Sequence, residues 1–159
     1  MTTADDLPLL ERRRIEAGVL VPLIRAFQSE FGEERVNRIA SETIRGIARA
    51  QGEAERARRS IETMADLAER TQRGPLGEGS LIVEIVEQDE AHYGFNVTRC
   101  KFHEMYDAMG AGDLGFLLSC NRDYAYFEGL APDVQFGRTQ TRMQGAAFCD
   151  FRYTVGQPR

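Results

Sequence analysis

Histidine is scarce in this chain: among 159 residues only His92 and His103 carry an imidazole. A mechanism that needs a histidine base therefore has two candidates at most. Cysteine is nearly as rare, and its three positions, Cys100, Cys120 and Cys149, are an odd number. That count argues against a disulfide framework and for free thiols, a catalytic thiol or metal ligands in a reducing compartment. No run of about 18 apolar residues is present to span a membrane. The opening MTTADDLPLLERRRIEAG is acidic and then arginine-rich, without the apolar core of a secretion signal. The expected location is cytoplasmic. Positive charge is also thin in the second half, where residues 76–159 hold 12 acids against 7 bases while residues 1–75 hold 13 of each. Phosphate binding wants a basic face, so a nucleic-acid partner is disfavoured.

What is present is enough apolar material for a real core. With 42% hydrophobic and 28% charged residues, the chain is expected to form one domain over 1–159, with a helical layer over 1–72 and a sheet-plus-helix part over 78–155. Ile15, Val19, Leu20, Leu23, Ile24, Phe27 and Phe31 recur at helical spacing, with Pro22 expected to kink that segment or start a new helix and Gly32 to end it. Val36, Ile39, Ala40, Thr43, Ile44 and Ile47 mark a second helix, and Ala57, Ile61, Met64, Leu67 and Ala68 continue at the same period. The charges of this layer read as solvated helix faces with i,i+4 pairs. Its apolar stripes could serve a homodimer.

After the breaker RGPLGEGS the pattern changes. LIVEIVE and YGFNVTRC read as an antiparallel hairpin, KFHEMYDAMGAGDLGFLLSCNRDYAYFEGL as two helices closed by Pro132, and VQFGRTQTRMQGAAFCDFRYTV as a second hairpin turning near Gln144 and Gly145. The order αα-ββ-αα-ββ argues for an α+β fold in which helices cover one face of a four-stranded antiparallel sheet.

The chemistry-bearing residues fall into two groups. Leu117, Cys120, Tyr124 and Phe127 share a helix stripe, which places Cys120 toward the core with Asp123 one turn away. Cys149 has the strand parity of Phe151 and Tyr153, opposite Asp150 and Arg152, whereas Cys100 has the parity of Asn96 and Thr98, the polar set. Each cysteine is open to three readings: a small buried hydrophobe, a catalytic thiolate with its pKa lowered by a neighbour such as Arg99, Arg122 or His103, or a zinc ligand. In the zinc alternative Cys100 and His103, spaced C-x-x-H, join Cys120 and Cys149. The second group is RTQTRMQG, where Thr139 and Thr141 are expected on one strand face between Arg138 and Arg142. Threonines on a solvated strand face are ordinary, but hydroxyls beside guanidiniums also suit a substrate carboxylate. Together with Arg99, Arg122 and Arg152, these arginines point to a small anionic ligand.

The segments FNVTRC, EMY, LGFLLSCNRD, RTQT and CDFRY, in this order and spacing, resemble the L-2-amino-thiazoline-4-carboxylic acid hydrolase family. So do RRRIEAGVLVPLI and ETIRGIARAQG, which extends the likeness from about Arg12 to Tyr153. The resemblance implies hydrolytic opening of a small carboxylate-bearing ring at a C–N or C=N bond, of the cyclic amidine, lactam or thiazoline type. The named reaction turns the thiazoline into an N-carbamoyl cysteine. It further implies Cys120, Cys100, Asp123, Cys149 and Asp150 as catalytic candidates, and Asn96, Thr98, Arg99, Arg122, Arg138, Thr139, Thr141 and Arg152 as substrate-binding ones, with no cofactor required. The chain departs from the family pattern at His103 and at GLAPDV. The element order is also similar to the vinyl-reductase-type and TRAPP-like ligand-binding fold, whose members need not be enzymes. The competing expectation is accordingly a non-catalytic module binding a small ligand or zinc.

Overall fold

A computed structural model describes residues 7–74 and 76–156. The N-terminal layer begins with two long helices, α1 (Leu9–Phe31) and α2 (Glu33–Arg58), and α1 runs through Pro22 without a break. Gly32 separates them at φ 86°, a left-handed backbone that favours glycine. The expected continuation of helix past residue 58 is corrected. The chain leaves α2 at Arg58 and restarts as α3 (Met64–Arg73). Thr63 caps that restart in a reciprocal capping box with Asp66, a local bond set strong enough to start a helix out of phase with the one before.

Four strands come after the layer: β1 (Leu81–Gln88), β2 (His92–Cys100), β3 (Val134–Gly137) and β4 (Cys149–Val155). They form one antiparallel sheet in the order β1-β2-β4-β3. Between β2 and β3 run α4 (Lys101–Ala108), α5 (Gly112–Gly115), a π turn over Phe116–Cys120 and α6 (Arg122–Leu130). The fold is thus α+β with helices on one sheet face, as the element order implied, but the second helical pair is subdivided and carries a π turn just where Cys120 lies.

Two clusters make the core. Tyr93, Phe95, Val97, Cys149, Phe151 and Tyr153 project from one sheet face onto Met64, Leu67, Ala68 and Leu130, while Ala17, Ile24, Val36, Ile44, Tyr106, Leu114 and Leu118 join the helices. The two layers lock where α2 crosses α6. A Cβ on Gly52 would meet the Tyr126 carbonyl oxygen at 2.1 Å, and one on Gly129 the Arg49 carbonyl oxygen at 2.4 Å, so backbone rests directly on backbone. The outer sheet face is open to solvent at Ile82 and Val86.

Two strand details decide where the site residues point. Along β1 and β2, Ile82 lies opposite Arg99 but Val83 opposite Val97, which leaves Thr98 as an extra, bulged residue. The bulge reverses the alternation beyond it. Cys100 therefore joins Phe95 and Val97 on the core face, contrary to the expected grouping with Asn96 and Thr98. At the other hairpin, β3 stops at Gly137, so the expectation that Thr139 and Thr141 share a strand face is also corrected. Residues 138–148 form a loop folded around a 3₁₀ turn (Arg142–Gln144), and Gly145 takes φ 91° at its end.

Candidate functional site

Between the sheet and the helices lies a cavity of about 630 Å³. Phe95, Val97 and Cys100 come to it from β2, Cys149, Phe151 and Tyr153 from β4, Ser119 and Cys120 from the π turn, and Arg122 and Asp123 from the start of α6. All three cysteines of the chain thus face one space. A π turn adds a residue to the helical repeat and re-aims the side chains beyond it. Here it hands Cys120 over to the first turn of α6.

Asp123 and Arg138 are the charged centre of this wall. The Arg138 side chain is 3% exposed and donates from Nη1 to Asp123 Oδ2 and from Nη2 to the Cys120 carbonyl at 3.0 Å. Four rings surround its guanidinium, with Phe151 the nearest at 5.2 Å from the ring centroid and Phe116, Tyr124 and Phe136 completing the cage. Tyr124 anchors the backbone of the same residue, donating to the Arg138 carbonyl at 2.7 Å and accepting its N–H at 3.0 Å. Arg138 is held rigidly on both sides, and its fixed charge orients Asp123.

Electrostatically the thiols are protonated at neutral pH. Burial pushes Cys100 up to about 11, against the opposing backbone N–H groups of His103 and Phe102 in the first turn of α4. Burial and then the Asp123 carboxylate push Cys120 still further up, and burial raises Cys149 despite the Arg142 N–H that donates to its sulfur at 3.2 Å. Asp123 is itself raised by burial, with Arg138 pulling the other way. Asp123 when charged raises all three thiols, Cys149 raises Cys100 and Cys120, and Cys100 raises Cys120, the mark of ionisable groups that share one small volume. A carboxyl and a thiol with perturbed protonation in a cleft make a functional-site candidate on physical grounds.

Of the thirteen expected site residues, Cys100, Cys120, Cys149, Asp123, Arg122 and Arg138 line the cavity. The remaining seven do not. Asp150 faces away and ties down the loop, accepting from the Thr139 hydroxyl at 2.6 Å and from the backbone N–H groups of Thr139 and Gln140. Burial pushes its carboxyl up, but these bonds outweigh burial and leave it below the usual carboxylate range. Thr141 is buried and caps the 3₁₀ turn by accepting from the Gln144 N–H. On the outer sheet face Arg152 donates to the Phe95 and Phe151 carbonyls and to Asn96 Oδ1. Arg99 pairs with Glu104, and the Thr98 hydroxyl donates to the Ile82 carbonyl. His103 pairs along its helix with Asp107. Among the described residues, Glu87, Asp89 and His92 form the one group whose metal-ligating atoms lie within 4.8 Å of one another, so Cys100, His103, Cys120 and Cys149 are not assembled as a zinc site here.

Arginines of the helical layer, read from sequence as solvated, also belong to the cavity: Arg12, Arg13 and Arg70 line it. Arg13 and Arg122 are both nearly buried, and both donate to Glu16, at 2.9 and 3.2 Å. A signal existed, since Arg13 precedes Ala17, Leu20 and Ile24 at i+4, i+7 and i+11 and so lies on the apolar stripe of α1. Tyr153 is the other residue missed. Its hydroxyl is buried without a hydrogen-bond partner among the described residues.

No curated protein matches the chain significantly by sequence. Solved structures similar in fold include the phenol-responsive sensory domain of the transcription activator PoxR with phenol, at 14% identity and a TM-score of 0.53 over 86% of this chain and 72% of that one. Another is trafficking protein particle complex subunit 3 from Naegleria fowleri covalently bound to palmitic acid, at 8% identity and a TM-score of 0.54 over 91% of this chain and 95% of that one. Both likenesses concern the fold, which is TRAPP-like. By sequence the match is to a family model, and it runs over residues 12–153, from the first arginines of α1 to Tyr153 of β4: the chain belongs to the L-2-amino-thiazoline-4-carboxylic acid hydrolase family.

Proposed function

We propose that this protein hydrolyses a small carboxylate-bearing ring at a C–N or C=N bond, and that the cavity beneath the sheet is where it does so. The observation that carries this reading is the convergence of Cys100, Cys120, Cys149 and Asp123 beside a fixed Arg138, in a chain whose family is named for hydrolysis of such a ring. Cys100 is the best placed nucleophile. It stands at the N-cap of α4, whose first-turn amides oppose the rise of its pKa, whereas the Cys120 thiol is pushed up further by the Asp123 carboxylate. A neutral thiol suits a basic cyclic amidine, because sulfur can bond the ring carbon while the thiol proton passes to the ring nitrogen. The C–N ring bond then breaks, and the nitrogen leaves as an amine with that proton and a second one donated by Asp123. Water adds to the sulfur-bound carbon, returning one proton to Asp123, and as the carbonyl forms the sulfur leaves with the other water proton, so the net change is one water gained. Asp123, oriented by Arg138, is the acid/base partner for the water step. Substrate contacts expected of Thr139 and Thr141, and acid/base work expected of Asp150, pass to the cavity arginines and to Asp123. Serine replacement at each cysteine, assayed for ring opening, tests the thiol route; full activity in all three variants eliminates it.

A second reading has a specific observation behind it. Phe95, Phe102, Phe127, Phe151 and Tyr153 form an aromatic part of the cavity wall, and the PoxR sensory domain and the trafficking subunit were solved with phenol and with covalently bound palmitic acid. A non-catalytic binder of a small ligand accounts for raised thiols as readily as an enzyme does. The readings separate on whether bound ring compounds are returned changed.

For partners, we propose a second copy of the chain on the α1/α2 face. Ile15, Val19, Leu23, Phe27, Phe31, Ile39 and Ile47 are each 45–65% exposed there. Together they leave on the order of 700 Å² of apolar side chain in water, close to the roughly 800 Å² per partner of a standard interface. Free thiols at all three cysteines fit the expected cytoplasmic setting.

A further inference from the structure

The cavity is too large for the ring alone, and one part of its wall is apolar. A five-membered ring with one carboxylate fills roughly a quarter of a 630 Å³ space, a size that ordinarily holds a ligand of drug-like dimensions. Phe95, Phe151, Phe102, Phe127 and Val97 supply walls with no polar partner to offer a bare ring acid. Against this apolar body stand two polar features that the fold leaves unfinished. Arg13 and Arg122 are two buried guanidiniums sharing the single Glu16 carboxylate, whereas Arg138 and Arg70 have Asp123 and Glu55 as partners. One positive charge of the Arg13 and Arg122 pair is therefore not matched, which fits a ligand bearing one negative charge. Tyr153, a residue 1% exposed, lines the cavity; its buried hydroxyl has no hydrogen-bond partner among the described residues, and a buried hydroxyl costs free energy until it finds one.

We propose that the substrate is an amphipathic monoanion: a carboxylate held at Arg13 and Arg122, an aromatic or branched apolar body along the Phe95 and Phe151 wall, and a polar atom that meets the Tyr153 hydroxyl. This rests on the cavity being the site of ring hydrolysis, and it names the substituent the ring should carry. The Asp123 and Arg138 pair then stays with the reacting ring, while specificity comes from the remote apolar body.

Titration calorimetry with non-reactive probes tests it without turnover. 4-Phenylbutyrate is expected to bind at least tenfold more tightly than 4-phenylbutanol and than acetate. 4-(4-Hydroxyphenyl)butyrate should gain a further severalfold, and Tyr153→Phe should abolish that gain while raising the melting temperature by removing an unpartnered hydroxyl. Arg13→Gln is expected to reduce the preference of the site for acid over alcohol. The ligand comparison on the unaltered protein stands even where that variant fails to fold. Equal binding of acid and alcohol, or of acetate and phenylbutyrate, overturns the proposal, as does a hydroxyl gain that survives Tyr153→Phe. Turnover distinguishes the ligand class from the reaction. Probes that bind as expected to a protein that opens no ring uphold the ligand class and sink the hydrolase reading. Ring opening with a KM indifferent to an aryl substituent does the reverse.

Discussion

Cys100 holds its proton because the protein has removed it from water, and that has a measurable consequence for stability. Its folded pKa is raised from the ordinary 9.0 to about 11, so above pH 9 the unfolded chain loses a proton that the folded chain keeps. Stability is whole below that point and falls as pH rises through the folded value, by about 1.4 kcal/mol per pH unit for one such group. Cys120, Cys149 and the buried Tyr106, raised to about 12, act in the same direction. Thermal melts between pH 8 and 11 should show a falling midpoint, shallower in Cys100→Ala; a midpoint flat over that range contradicts the burial of these groups. In catalysis, Cys100→Ser should cut ring opening by roughly a hundredfold or more, and Asp123→Asn by about 10² to 10⁴, read as kcat/KM. Loss in Asp123→Asn with none in Cys100→Ser would shift the mechanism to direct attack by water. At this scale the sequence singled residues out without giving their direction. The three cysteines and Asp123 stood out as chemistry-bearing residues, but Thr139, Thr141 and Asp150 look equally functional as letters. Only the short bonds among them, such as 2.6 Å from the Thr139 hydroxyl to Asp150, reveal a loop tie.

Elements place these residues, and the decisive ones are irregular. A regular strand of nine residues would have sent Cys100 outward with Asn96, and the extra residue at Thr98 turns it in. Deleting Thr98 should therefore be tolerated, because a regular strand without it also brings the cysteine to the face of Val97. Retained turnover, and a Cys100 thiol no more reactive to a labelling reagent than before, is the expected result; a newly reactive thiol speaks against the bulge. The α2–α6 crossing makes a harsher prediction. Gly52→Ala forces a Cβ against the Tyr126 carbonyl, which should cost about 3 kcal/mol and lower the melting temperature by roughly 10 °C, and an unchanged melt would refute the close contact. Periodicity found the long helices because α1 and α2 have sustained apolar repeats. It missed the break after Arg58 because Ala57, Ile61 and Met64 keep the spacing although the backbone does not. Neither a bulge nor a π turn leaves a periodic trace, so both stayed invisible.

For the molecule as a whole, one face of the helical layer is finished and the other is not. Ala17, Ile24, Val36 and Ile44 pack inward, while Val19 at 65% exposure and Phe31 at 55% remain in water. Light scattering of the purified protein should give twice the chain mass, and Val19→Glu with Phe27→Glu should restore the single-chain mass without loss of melting cooperativity; a monomer at micromolar concentration would leave that face unexplained by a second copy. The architecture was legible from the sequence because runs of one periodicity gave way to another at RGPLGEGS. The cavity was not, since part of its wall is built from arginines that look like ordinary solvated helix charges until Arg13 is seen buried beside Arg122. The central claim is that this cavity adds water to a ring. Mass spectrometry of a panel of five-membered cyclic amidines, thiazoline carboxylates, lactams and imides incubated with the protein addresses it directly. At least one carboxylate-bearing ring should be converted to a product heavier by one water, at a rate that collapses in Cys100→Ser. Rings that bind and are recovered unchanged across the whole panel would contradict it.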